Sequence, residues 1–86
     1  MPTISIFYGI YIQMFWNEHM PPHFHALYAG YKISINIKTL RVIKGNMPNR
    51  ASILVLEWAA KHREELFEDW DLCRQKRLPK KISPLK

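Results

Sequence analysis

The sequence predicts an α+β domain: an antiparallel β-meander of four to five short strands covered by one long C-terminal helix. Three observations predict it. Residues 3–37 alternate apolar and polar positions in short runs separated by turn signals, the period-2 signature of strands. Residues 48–76 repeat apolar side chains at spacings of three and four, with no glycine or proline after Pro48, as one amphipathic helix does. The strands also come before the helix in a block, which favours a segregated layer over a parallel βαβ sheet.

Thr3–Tyr8 is the first strand, with Ile4, Ile6 and Tyr8 expected on one face and Ser5 and Phe7 on the other. Gly9 turns the chain. Ile10–Trp16 is the second, with Ile10, Ile12, Met14 and Trp16 opposite Tyr11, Gln13 and Phe15. Asn17–Pro22 is a loop, because Pro21 and Pro22 cannot sit inside a central strand. His23–Tyr28 is the third strand, Ala29-Gly30 a tight turn, and Tyr31–Ile37 the fourth, with Ile33, Ile35 and Ile37 facing away from Lys32, Ser34, Asn36 and Lys38. A turn at Thr39-Leu40 leads to a short fifth strand, Arg41–Lys44, and Gly45-Asn46 is expected to end the sheet. Asn46 or Asn49 can cap the helix, with Pro48 tolerated in its first turn. Val55, Ala59, His62, Leu66, Trp70 and Cys73 form its apolar stripe, widened by Leu56 and Trp58. A helix this long is expected to overhang so small a sheet. Pro79 stops it, and Ile82, Pro84 and Leu85 form a short apolar run able to dock back on the body. Residues 1–78 thus make one α+β domain and residues 79–86 a basic C-terminal tail.

Eighty-six residues suit one domain, and the 48% apolar content is enough for a real core. No apolar run approaches the roughly 18 residues that a membrane helix needs. The start, MPTISIFYG, lacks a basic region and a signal core, so a mature cytoplasmic protein is expected. The single cysteine, Cys73, fits a reducing compartment and sits on the helix stripe, where it reads as a small buried hydrophobe. The net charge is +6, but the 7 acidic residues of residues 1–73 are matched by as many basic ones. The excess comes from Arg74, Lys76, Arg77, Lys80, Lys81 and Lys86. Such a tail suits an acidic partner or a phosphate backbone, and cations there also complement a helix C-terminus.

The stretch NEHMPPHFHA holds three of the four histidines, His19, His23 and His25. His23 and His25 lie two apart in a strand, so both point to one face. His19, in the loop before the prolines, can fold back toward them. Three imidazoles at a sheet mouth are the raw material of a site for zinc or another divalent transition metal. Without a metal, His23 and His25 can act as an acid–base pair in RNA cleavage, with His19 or His62 in support and Asn17 and Glu18 orienting the rings. Tyr28, Tyr31 and Lys32 follow closely enough to line the same cleft. Strand histidines also serve simply as hydrogen-bonding groups, and nothing here resembles CxxC, HExxH, a glycine-rich phosphate loop or a GxSxG elbow. Strand aromatics such as Tyr8, Tyr11 and Phe15 can stack on RNA bases or fill the core.

Taken together, MPTIS, FYG, MFWNEHMPPHFHALY, RASILVLEWAAKHREEL, EDW and PKKISPL resemble a family of short bacterial and archaeal proteins, domain of unknown function 4160. The resemblance covers nearly the whole chain, and the PPHFHA core with the W-x3-H-x3-L and I-x-P-L pieces is specific. It places His19, Pro21, Pro22, His23, Phe24, His25, Trp58, His62 and Trp70 at the family's motif positions. It implies a gene set beside a second small gene, an arrangement similar to toxin–antitoxin modules, and it carries no assigned catalytic residue.

Three functions follow as expectations. The first is a cytoplasmic, toxin-like component of a two-gene module, bound by the neighbouring gene's product through the sheet edge, the helix and the tail. The second is a small histidine-dependent ribonuclease, with or without a metal, built on His23 and His25. The third is a nucleic-acid-binding regulator acting through Arg74, Lys76, Arg77, Lys80 and Lys81. An exposed edge strand or an overhanging helix can also pair two copies into a homodimer.

Overall fold

The computed structural model describes residues 2–86. Among them seven elements follow in order: β1 (Thr3–Phe7), β2 (Ile10–Gln13), β3 (His23–Tyr28), β4 (Tyr31–Asn36), β5 (Val42–Asn46), α1 (Asn49–Lys61) and α2 (Arg63–Arg74). The strands pair in sequence order, each antiparallel to the next, so the sheet is the expected meander. Two of its turns have two residues with positive φ, Tyr8-Gly9 and Ala29-Gly30. That geometry matches the twist of the flanking strands and sets Phe7 opposite Ile10 and Tyr28 opposite Tyr31.

The helices cover one face only. Ile10, Ile12, Phe24, Ala26, Ile33 and Ile35 point toward them and are fully buried or nearly so. Trp58 of α1 sits among them, its ring centroid 5.4 Å from that of Phe7 and 5.9 Å from that of Phe24. His23, His25, Lys32, Ser34 and Lys44 point the other way, onto a face that the helices leave open except where Trp70 of α2 reaches His23. An irregularity between Thr3 and Ser5 breaks the alternation of β1. Ile4, Ser5 and Phe7 are therefore all buried while Ile6 and Tyr8 are exposed, so Ile4 joins Ser5 and Phe7 in place of the face expected with Ile6 and Tyr8. The fifth strand also runs past Lys44 through Gly45 to Asn46. Gly45, at φ +86°, pairs with Ile33 and is pressed against Lys32, so it is not the end of the sheet.

The single long helix is corrected to two. His62 leaves helical geometry at φ −122° and ψ 24°, and α2 restarts at Arg63. A continuous helix over residues 49–74 would span about 39 Å, longer than the 33 Å greatest extent of the whole fold. The break lets Ala51, Val55, Trp58 and Ala59 of α1, then Leu66, Trp70 and Cys73 of α2, all reach the core. Glu64 and Glu65 in the first turn of α2 complement its dipole, and Glu65 hydrogen-bonds the His62 ring. No overhang remains. α1 begins after Pro48 without a side-chain cap, so neither Asn46 nor Asn49 fills that role.

Residues after Arg74 run back over the body as a strap. Ile82 and Leu85 are buried, and the Ile82 amide donates to the Ile4 carbonyl at 2.8 Å, closing the free edge of β1. The Trp58 indole donates to Ser83 O at 2.8 Å, the Lys80 amide to Asp69 Oδ1 at 2.8 Å, and the Trp16 indole to Arg77 O at 3.0 Å. All five residues of β5, at the opposite edge, are exposed. Among the described residues no helix is long and apolar enough to cross a membrane.

Candidate metal centre on the open face of the sheet

The β2–β3 loop and the start of β3 bring Glu18, His23 and His25 together. One ligand atom from each lies within 4.8 Å of the others. His25 Nε2 is 2.7 Å from Glu18 Oε1, and His23 Nε2 is 3.7 Å from the same oxygen. The other nitrogen of each ring is also held. His23 Nδ1 is 2.8 Å from Pro21 O, and His25 Nδ1 is 3.1 Å from Ser34 Oγ. A carbonyl only accepts, so His23 Nδ1 carries a hydrogen, and its Nε2 faces the carboxylate. The two β3 histidines, each anchored through Nδ1 with Nε2 presented inward, have the outer-shell support that metal-ligating imidazoles use.

The group is half enclosed. The His23 and His25 side chains are 12% and 10% exposed and Glu18 is 26% exposed. Phe15 stacks on His25 with centroids 4.8 Å apart, and Trp70 of α2 packs on His23 at 5.3 Å. Burial, above all, holds the His25 imidazole below its ordinary pKa, against the opposing pull of Glu18. Burial would raise Glu18, but the hydrogen bond from His25 and the nearby imidazoles bring it below the usual carboxylate range. A neutral imidazole and an ionised carboxylate are the forms that bind metal. Two histidines and a glutamate suit a catalytic zinc with an open fourth position, at bond lengths of about 2.0–2.2 Å. The group opens on a cleft of about 270 Å³ that also reaches Met20, Ser34, Ile43 and Lys44. The same contacts, without a metal, form a hydroxyl–imidazole–carboxylate chain from Ser34 through His25 to Glu18.

His19 is exposed and lines the rim of this cleft. Glu18, not His19, supplies the third converging atom. His62 stays at the helix break, stacked on Trp58 at 5.4 Å and bonded to Glu65. It borders a separate surface depression with Lys61 and Glu64. Arg74, Lys76, Arg77, Lys80 and Lys81 are all exposed. Two of them are turned onto the body, Lys80 pairing with Glu68 at 2.8 Å and Lys81 donating to Thr3 O at 2.8 Å. Cys73 is buried, and desolvation pushes its thiol up to about 11, so it packs as a hydrophobe.

Ser34 carries no motif of its own in the sequence. The two-residue turn at Ala29-Gly30 nonetheless locates it. Pairing outward from Tyr28 and Tyr31 sets His25 opposite Ser34, which is the observed register.

No curated protein and no solved structure matches the chain. Residues 9–71, which include Glu18, His23, His25 and Ser34, match the family described as "Domain of unknown function (DUF4160)", and the chain belongs to that family.

Proposed function

We propose that the protein is the toxin-like member of a two-gene module, and that its working centre is a divalent transition-metal site, Glu18–His23–His25, used for RNA hydrolysis. The observation that carries this reading is the convergence of both Nε2 atoms on one carboxylate oxygen, with both Nδ1 atoms anchored from behind. A bound zinc would supply a water with a pKa near 7 and a Lewis acid for a phosphoryl oxygen. Lys44, at the mouth of the cleft, is the nearby cation for a developing negative charge. Metal analysis of untagged protein tests the reading. Stoichiometric zinc or another transition metal, lost in His23→Ala/His25→Ala while the fold persists, is the expected result; metal-free native protein ends it.

A second reading rests on Ser34, His25 and Glu18 as a metal-free chain of general-base type. Hydrolysis that survives exhaustive chelation but not Ser34→Ala would favour it.

The neighbouring gene's product is proposed to dock on β5. Its five residues are exposed, Val42 and Ile43 are 46% and 49% exposed, and its outer edge is free for an added strand. Co-purification of the two products, weakened by proline at Ile43, is expected. A monomer that ignores the neighbour's product would remove the two-gene part of the proposal and leave the metal part standing.

A further inference from the structure

The open face of the sheet carries more than the metal centre. Its outward residues fall in cross-strand rows. One row runs Ile6, Tyr11, Leu27, Lys32 and Asn46; the next runs Thr3, Gln13, His25, Ser34 and Lys44. The rows lie roughly 7 Å apart, two residues along each of β2 to β5. Three clefts follow one another across this face. The cleft of the metal centre shares His25, Ser34 and Lys44 with one of about 260 Å³ that also takes in Lys32. Lys32 in turn borders a third, of about 420 Å³, lined by Tyr11, Leu27 and Tyr31. One groove therefore passes from two imidazoles and a carboxylate, through two lysines flanking a serine hydroxyl, to Tyr11, which is 47% exposed.

We propose that this groove is a binding track for a single-stranded nucleic acid, with backbone phosphates held by Lys32 and Lys44 beside the Glu18–His23–His25 centre and a base resting on Tyr11. The proposal rests on the reading of that centre as hydrolytic and names its substrate class. The two lysines are the basic residues on the two central rows, and each can neutralise a phosphate. Lys32 has a fixed seat, its ammonium 6.0 Å from the centroid of the Phe15 ring that packs on His25. Tyrosine faces bind bases with little regard to sequence. A flat sheet with exposed aromatics suits unpaired bases, whereas a duplex would offer it only phosphates.

The test is fluorescence anisotropy with labelled eight-nucleotide strands, one of RNA and one of DNA, and the full chain stripped of metal to suppress metal-dependent cleavage. Wild type is compared with Lys32→Ala/Lys44→Ala, with Tyr11→Ala, and with Lys61→Ala on the helical side as a control. All of these side chains are exposed, so thermal melts are expected to coincide. Binding of either strand is expected, and the preferred sugar identifies the natural source. The double lysine variant should lower the salt slope by roughly 1.4, two phosphates at about 0.7 each. Tyr11→Ala should weaken binding about fivefold or more, and Lys61→Ala should change nothing. No binding at low salt, or equal affinity of wild type and the lysine variant, overturns the track. So does capture of the neighbouring gene's product, but not of either strand, by a surface that needs Tyr11. Metal content measured on the same native preparations separates the failures. Intact metal without strand binding sinks the track alone, and strand binding without metal sinks the metal-dependent reading alone.

Discussion

The Nε2 atom of His25 lies 2.7 Å from Oε1 of Glu18, and across the strand pair its Nδ1 lies 3.1 Å from Ser34 Oγ. The ring is thus held at both ends by side chains from different elements, the β2–β3 loop and β4. A ligand fixed in this way loses little freedom on binding a metal, so its partners contribute to affinity through orientation.

Ser34→Ala should therefore weaken zinc about 10–100-fold, the usual cost of removing an outer-shell partner, while Glu18→Gln, which removes a charged donor, should weaken it more. Competition against a chromophoric chelator measures both. Equal affinity in Ser34→Ala and wild type would show that Ser34 does not orient the ring.

Deleting residues 79–86 should be costly although the segment looks like a tail. It would remove Ile82 and Leu85 from the core, each worth about 1.5–3 kcal/mol when fully buried, and orphan the Trp58 indole N–H that now donates to Ser83. Against a typical stability of about 5–15 kcal/mol, the truncated chain should melt far below the full one. Trp58→Phe, which gives up the bond and keeps most of the ring, should cost about 1–3 kcal/mol. An unchanged melting temperature on truncation would mean that the strap is not part of the folded unit.

The meander was legible because turn chemistry and period 2 agreed at Gly9 and at Ala29-Gly30. So was the pairing of His23 and His25 on one face, which follows from their spacing alone. The face of Ile4 was not, because the bulge there leaves no compositional mark and sets Ile4 beside Ser5 and Phe7, away from Ile6. The helix break was equally hidden. No glycine or proline marks His62, and the break answers to the size of the sheet beneath it, a tertiary constraint. Glu18 stood in the quoted stretch as an orienting group, yet sequence spacing could not tell it from His19 as the third converging residue. That choice depends on how the loop closes, with Trp16 tied to Arg77 some 61 positions away.

Gly45 and Gly30 share a φ of +86° but should respond differently to substitution. A Cβ on Gly30 meets nothing within 4 Å, so Gly30→Ala should cost only the backbone penalty of about 1–2 kcal/mol. A Cβ on Gly45 would sit 2.1 Å from the Lys32 carbonyl oxygen, so Gly45→Ala must push β5 away from β4. Thermal melts should show a clearly larger loss for Gly45→Ala, and hydrogen exchange should show β4 amides opening. Equal losses would mean that the edge strand yields freely at that point.

Asp69 of α2 is 1% exposed, with Oδ1 accepting the Lys80 amide and Oδ2 buried without a hydrogen-bond partner. Desolvation pushes its carboxyl up from 3.8 to about 6, with Glu68 and Glu65 adding to the rise and the Lys80 amide and ammonium opposing it. A folded pKa above the unfolded one means that the native state holds a proton the unfolded chain has released. The stabilisation linked to that proton is complete below pH 3.8 and is lost as pH rises through about 6. Asp69→Asn keeps an oxygen for Lys80 and cannot ionise. Its melting temperature relative to wild type should therefore improve between about pH 4 and pH 7, with most of the change below about pH 6. The opposite slope would show that the Asp69 carboxylate is stabilised in the fold, with the strap held by its charge, whereas a flat difference would mean that Asp69 titrates alike in both states.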